Sequence, residues 1–359
     1  MGCSRINACR ASKTKLVKTA LTWRDDGGSG QSIPTPCLRE TGNVNKILFV
    51  ITTVLFVVIA ADNLPAQDNT SGGVQLVGEG ISQWEVGVTI SAVGNCRGLV
   101  ASIPVFMDWP EQQVQIVEEN FSKHVKNVQF RVLGGGVKQM IVSIPYIGPG
   151  ETAQALVTYE ITRQAIESPR DTSMLKSPKK VTRSMKRFLG NSPYIETSNS
   201  RIRAASRNLG QDATNDWKKV EAIYDWVRDN VQYEFSTKLK GAAAALKDGK
   251  GDCEEMTSLF VAMCRLKKIP ARCIWVPGHC YPEFYLQDSD GHGHWFPCQV
   301  AGQRDFGSMP DLRPIIQKGD SFKVPGKKKP QRYVSELLKG QSFVGGKPKV
   351  RWVRKMQSQ

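Results

Sequence analysis

The chain has 359 residues, of which 40% are hydrophobic, so it is long enough for two domains with additional segments and apolar enough for folded cores. Its formal net charge of +16 favours acidic partners, such as an anionic cell-envelope polymer, although a solvated basic surface explains the same balance. None of the nine cysteines forms a Cys-x-x-Cys pair, which excludes the common zinc-ribbon and thioredoxin motifs.

The first long feature is an apolar run at residues 47–61, "ILFVITTVLFVVIAA". It is shorter than the roughly 20 residues that a membrane-spanning helix needs. Lys46 precedes it, and Leu64 and Ala66 follow at spacings typical of a signal-peptide cleavage site. Residues 1–66 are therefore predicted to be an extension plus a signal peptide, and the protein to be exported to the periplasm or secreted. An uncleaved run that anchors the protein to the membrane is the alternative.

A β-rich region follows at residues 67–164. Runs such as "WEVGVTISAV", "NVQFRVL" and "AQALVTYEITR" are rich in Val, Ile and Phe, and Gly, Pro and Asn separate them at regular intervals. This pattern predicts a β-sandwich of about 100 residues. Residues 165–189 are basic and polar and contain prolines, which is typical of a linker.

Helical periodicity begins in the next region, residues 190–322. A helix is predicted from about Cys253 to Lys267, with Asp252 as N-cap and Glu255 completing a capping box. Cys253 then lies in the first turn, where the helix dipole tends to lower the pKa of a thiol. Glu254 and Glu255 oppose this effect, so a reactive cysteine here requires a histidine partner.

The sequence offers a histidine and a polar residue in a suitable order. His279 begins a predicted strand, and a second strand, Trp295 to Gln299, follows a loop rich in turn-forming residues. A cysteine on a helix, a histidine on a strand and a polar residue on the neighbouring strand match the order of nucleophile, base and orienting group. The remaining residues, 323–359, are dense in Lys and Arg and form either a tail or an edge element.

Residues 190 to 300 resemble the transglutaminase-like superfamily, in its exported bacterial form. The resemblance is carried by "AIYDWVRDNVQYE", "KGDCEEMTSLFVAMCRLKKIPAR", "GHCYPEFYL" and "HWFPCQ". It implies a papain-like domain, and with the β-sandwich predicted before that domain the chain is expected to be of the α+β class. It also implies Cys253 as the nucleophile and His279 as its base. The family usually has Asp where this chain has Gln299, and Asp305 or Asp311 could substitute for that residue.

The sequence allows two states for a pair of cysteines and two functions for the chain. If His279 and Gln299 face the site, Cys280 and Cys298 face away, as a disulfide or as two buried thiols. The expected function is an exported cysteine enzyme that acts on amide bonds of a protein or peptide through a thioester. No cofactor, metal or nucleic acid is expected, because the Cys and His spacings match no common zinc pattern and aromatic residues are sparse in the basic segment. The alternative is a catalytically silent interaction protein of the cell envelope.

Overall fold

Long β-strands open the described part of the chain, which in this computed structural model comprises residues 73–357. Apolar residues alternate with polar ones along most of these strands, which buries one face of the strand, whereas the third and fourth strands are largely exposed. The strands are β1 (Gln75–Ser91), β2 (Asn95–Val105), β3 (Gln112–Phe121), β4 (Asn127–Leu133), β5 (Val137–Ile147) and β6 (Thr152–Glu167). The predicted signal segment, residues 47–61, and its cleavage site lie outside the described residues.

The second part of the chain combines helices with shorter strands. After a 3-10 turn at Met185–Phe188, the helices are α1 (Ser200–Ser206), α2 (Asp216–Asn230), α3 (Ala242–Asp248) and α4 (Cys253–Leu266). The strands up to residue 318 are β7 (Gln232–Tyr233), β8 (Lys250–Gly251), β9 (Ala271–Val276), β10 (His279–Gln287), β11 (Gly293–Gln299), β12 (Asp305–Phe306) and β13 (Gln317–Lys318). Among residues 73–357, no helix has both the length and the apolar character needed to cross a membrane.

The C-terminal segment returns to the first part of the chain as three strands. They are β14 (Leu337–Lys339), β15 (Ser342–Val344) and β16 (Lys349–Met356). Strand β16 pairs antiparallel with β1, and β14 and β15 pair antiparallel with β2. Of the two readings of residues 323–359, tail or edge element, the structure therefore has the edge element.

Two large sheets contain all of the strands except β7 and β8, which pair with each other. One has the order β16-β1-β6-β3, and the larger one has the order β12-β11-β10-β9-β13-β5-β2-β14, with β4 on β5 and β15 on β2. The inward side chains of β1 and β6 share one apolar core with those of β2 and β5. The larger sheet also continues through β13 into the strands that carry the candidate site, so the two regions share one framework.

A second core surrounds α2 and α4. The predicted stripe of α2 is confirmed, because all six of its members are buried: Trp217, Val220, Ile223, Tyr224, Val227 and Val231. Cys264, predicted to be a core residue, is also fully buried within this cluster. Helix α4 is buried along nearly its whole length and lies against β10, where Thr257 Oγ1 donates a hydrogen bond to the Cys280 carbonyl at 3.2 Å.

The start of α4 follows the predicted capping chemistry. The Glu254 N–H donates to Asp252 Oδ1 at 2.8 Å, and the Asp252 N–H donates to Glu255 Oε2 at 3.0 Å. The capping box is therefore confirmed, and Cys253 is the first residue of the helix. Such caps satisfy N–H groups that have no partner within the helix, and so they fix where the helix begins.

Candidate active site

The thiol of Cys253 is held between the first turn of α4 and the start of β10. The Cys280 backbone N–H donates a hydrogen bond to the Cys253 sulfur, which lowers the pKa of the thiol. Burial is the larger effect, and the carboxylates of Asp252, Glu254 and Glu255 add to it, so that the pKa is raised to about 11. The expected lowering by the helix dipole is therefore outweighed, and the resting sulfur is a neutral thiol at neutral pH.

The imidazole of His279 is oriented by Gln299. The distance from His279 Nε2 to Gln299 Oε1 is 2.8 Å. An amide oxygen only accepts hydrogen bonds, so Nε2 carries the proton and Nδ1 is left as the basic nitrogen. Burial lowers the pKa of His279, although the bond to Gln299 works in the opposite direction. A neutral imidazole with a free Nδ1 is the form that a general base requires.

Helix α2 holds the backbone of Gln299. Tyr224 Oη donates to the Gln299 carbonyl at 2.8 Å, and Arg228 Nη1 donates to the same oxygen at 2.9 Å. These two residues are four positions apart, and so they share one face of the helix. Gln has more rotamers than the expected Asp, but this anchoring places its side chain next to His279. Sequence reasoning missed both anchors, although a Tyr and an Arg at this spacing beside the apolar stripe were the available signal.

The two Asp residues considered as substitutes do not take the place of Gln299 at the imidazole. Asp305 pairs with Gln299 across the β11–β12 ladder. The Asp311 carboxylate accepts bonds from Arg313 Nε at 2.9 and 3.0 Å, and Arg313 also donates to the Pro277 carbonyl. Asp311 raises the pKa of His279 through its charge and Arg313 lowers it. The ring nitrogen Nε2 itself is bonded to Gln299.

Residues 203–300 match the family model of the transglutaminase-like superfamily. This match is less than half of the chain, and it includes Cys253, His279 and Gln299. No curated protein matches the chain at a significant level.

A solved structure shows the same fold over most of the chain. A candidate cysteine protease from Cytophaga hutchinsonii aligns with a TM-score of 0.52 at 16% identity, over 80% of this chain and 93% of its own. A candidate protease from Parabacteroides distasonis aligns with a TM-score of only 0.24 at 11% identity, over 66% of this chain and 71% of its own. The second likeness is too weak to bear on the fold, whereas the first supports a papain-like fold.

The other cysteines of the matched region, residues 203–300, are buried thiols. Cys280 and Cys298 are both free and buried, so of the two alternatives the structure has the thiols. Cys280 lies beside Cys273 of β9, within side-chain hydrogen-bond reach. The reason is the strand register, which sets Pro282 opposite Cys273 and makes Cys280 a diagonal neighbour of Cys273.

One cluster of the described domain brings metal-type ligands together. Atoms of Asp288, Asp290 and His292 lie within 4.8 Å of one another in the loop between β10 and β11. Asp288 Oδ1 accepts the N–H groups of Asp290 and His292, and Oδ2 bonds to His294 Nε2 at 2.8 Å. These hydrogen bonds account for the arrangement of the loop, and we assign no metal to it.

Proposed function

We propose that this protein is a cysteine-dependent enzyme that cleaves or exchanges amide bonds through a thioester acyl-enzyme. The observation that carries the proposal is the bond from His279 to Gln299, next to a sulfur held by the neighbouring N–H of Cys280. This bond leaves Nδ1 of His279 as the basic nitrogen. His279 directly precedes Cys280, whose backbone N–H contacts the Cys253 sulfur. The superfamily match over residues 203–300 supports the same reading.

The chemistry follows from the protonation states. Since both Cys253 and His279 are neutral at rest, the proton moves from the sulfur to His279 Nδ1 as the sulfur attacks the carbonyl carbon. The backbone N–H of Cys253, at the start of α4, stabilises the negative oxygen that forms. The amine leaves with the proton from His279, and a thioester remains on Cys253.

Two acceptors complete the reaction. If water attacks the thioester, a carboxylic acid is released and the protein is a peptidase or amidase. If a second amine attacks it, the acyl group is transferred to that amine and the protein is a transferase. In either case His279 removes the proton of the acceptor and returns it to the sulfur. We propose a protein or peptide as the substrate, acted on after export to the periplasm or the exterior, where the basic surface favours anionic envelope polymers.

A second candidate function is a catalytically silent interaction protein of the cell envelope. The observation that favours it is the raised pKa of Cys253, about 11, together with a neutral amide in place of a carboxylate. A neutral orienting group fixes the imidazole tautomer but stabilises imidazolium less than a carboxylate does.

Trapping the acyl-enzyme separates these functions. The full chain is mixed with a defined library of peptides, quenched in acid, and analysed by intact mass spectrometry and peptide mapping. An adduct at Cys253 that hydroxylamine removes, and that is absent in Cys253→Ala and reduced in His279→Ala, is expected for the enzyme. If wild type forms no adduct and any amide turnover survives Cys253→Ala, the enzymatic proposal is wrong.

A further inference from the structure

A buried arginine from the C-terminal segment reaches the first turn of the cysteine helix. Arg332 is only 4% exposed. Its Nη2 donates to the Glu254 carbonyl at 2.9 Å, and its Nε lies 3.6 Å from Glu254 Oε2. Glu254 directly follows Cys253 in α4. A residue far outside the family match of residues 203–300 therefore contacts the backbone and the carboxylate next to the candidate nucleophile.

The position of Arg332 is fixed on both sides. The Val334 N–H donates to Gln317 Oε1 at 3.0 Å, and Gln317 Nε2 returns a bond to the Val334 carbonyl at 3.2 Å. The Tyr333 ring packs edge-on against Trp275, with 5.1 Å between ring centroids. The Arg332 guanidinium itself lies 5.1 Å from the Trp275 ring centroid. Such a segment holds the guanidinium in one place, which is what a positioning role needs.

The guanidinium has spare hydrogen-bonding capacity at this site. Its Nε and Nη1 are buried and have no hydrogen-bond partner among the described residues. Guanidinium keeps its charge at all accessible pH values, and burying it costs free energy unless a partner compensates. Glu254 is the carboxylate with which it forms an ion pair, and the buried Cys273 and Cys280 and the carboxylate of Asp320 also act on it electrostatically.

The charges around Cys253 explain why this contact matters. On α4 itself the thiol faces three carboxylates, those of Asp252, Glu254 and Glu255, each of which disfavours negative charge on the sulfur. From the strands, the backbone N–H of Cys280 in β10 reaches the sulfur, and Tyr233 of β7 interacts with it electrostatically. Two of the three carboxylates are committed to the capping box. Glu254 is the one that a cation opposes directly.

We propose that Arg332 is a positioning residue of the candidate active site, which clamps the first turn of α4 and neutralises Glu254 so that negative charge can develop on Cys253. This inference deepens the proposed function and rests on it. It makes the C-terminal segment, beyond the matched domain, a necessary part of the site.

A double-variant cycle on the full chain tests the charge pairing. The measured quantity is the rate of iodoacetamide alkylation of Cys253 at pH 8, resolved by mass spectrometry, with thermal melts as the check on folding. Arg332→Met leaves the Glu254 charge unopposed, and we expect alkylation to slow roughly tenfold, the effect of about one unit of thiol pKa. Glu254→Gln should accelerate it, and the double variant should return close to wild type.

Two single variants, Arg332→Lys and Glu254→Gln, separate the effect of charge from a failure to fold. Arg332→Lys retains the charge and should alkylate closer to wild type than Arg332→Met does. If Arg332→Met fails to fold, Glu254→Gln still tests the inference, because its side chain is 35% exposed and its loss should be tolerated. Unchanged alkylation in folded Glu254→Gln, or in folded Arg332→Met, overturns the inference.

The outcome is independent of turnover. Alkylation reports the sulfur alone, whereas the acyl-enzyme experiment reports catalysis. Opposite shifts in the two single variants without an acyl-enzyme would uphold the role of Arg332 and remove the proposed function. An acyl-enzyme at Cys253, with an alkylation rate that neither variant changes, would uphold the proposed function and remove the role of Arg332.

Discussion

Replacing Gln299 by Glu should make Cys253 more reactive. The two side chains have the same length and shape, so Gln299→Glu changes the acceptor of the 2.8 Å bond from an amide to a carboxylate. A carboxylate raises the pKa of the imidazole, whose pKa is lowered by burial in the native site. The proton then moves more readily from the thiol to His279, and the population of the thiolate–imidazolium pair rises.

The size of the effect follows from the hydrogen bond. A bond to a charged group contributes about 1.5–3 kcal/mol, compared with about 0.5–1.5 kcal/mol for a neutral one. Because both side chains are only partly buried, screening reduces the difference to roughly 1 kcal/mol, which corresponds to about a fivefold increase in the ion pair. Gln299→Leu removes the acceptor altogether and should slow alkylation by a similar factor.

Iodoacetamide alkylation at pH 7.5, resolved at Cys253, is a suitable assay. Gln303→Glu is the matched control, because it adds the same charge at an exposed position of the loop that follows β11. His279→Ala in the Gln299→Glu background should abolish the gain. A folded Gln299→Glu variant that alkylates no faster than wild type, or no faster than Gln303→Glu, would refute the assignment of Gln299 as the orienting group.

Because the pKa of His279 is lowered in the folded protein, the unfolded chain binds the extra proton more readily. The contribution of His279 to the free energy of unfolding should therefore be fully present above about pH 6.5 and be lost as the pH falls below it. Melting temperatures between pH 7.5 and 5.5 should show this slope in wild type and a flatter one in His279→Gln. Asp320→Ala removes the carboxylate that pairs with Arg265, whose side chain is 0% exposed, and should lower the free energy of unfolding in urea by about 3–5 kcal/mol. Glu234→Gln breaks an exposed pair and should change stability by less than about 0.5 kcal/mol. Tyr224→Phe removes one bond to the Gln299 carbonyl and should cost about 1 kcal/mol while slowing alkylation; an unchanged rate would show that Arg228 alone holds that backbone.

Local features of the site were determined by the sequence. The cap at Asp252 and the apolar spacing of α4 follow from contacts within a few residues, and they place Cys253 in the first turn. Strand alternation likewise placed Cys280 on the opposite side from His279. These features depend on short-range sterics and hydrogen bonding, which a linear pattern records.

Long-range packing decided the rest. The raised pKa of Cys253 comes chiefly from burial, which depends on what other segments bring to its surroundings. The anchoring of Gln299 by α2, and the arrival of Arg332 at Glu254, join residues 71 to 78 positions apart. The pairing of β16 with β1 joins the two ends of the described chain, and only the folded sheet fixes it. No local pattern encodes such contacts, because their partners are chosen by the fit of whole strands and helices rather than by neighbouring residues.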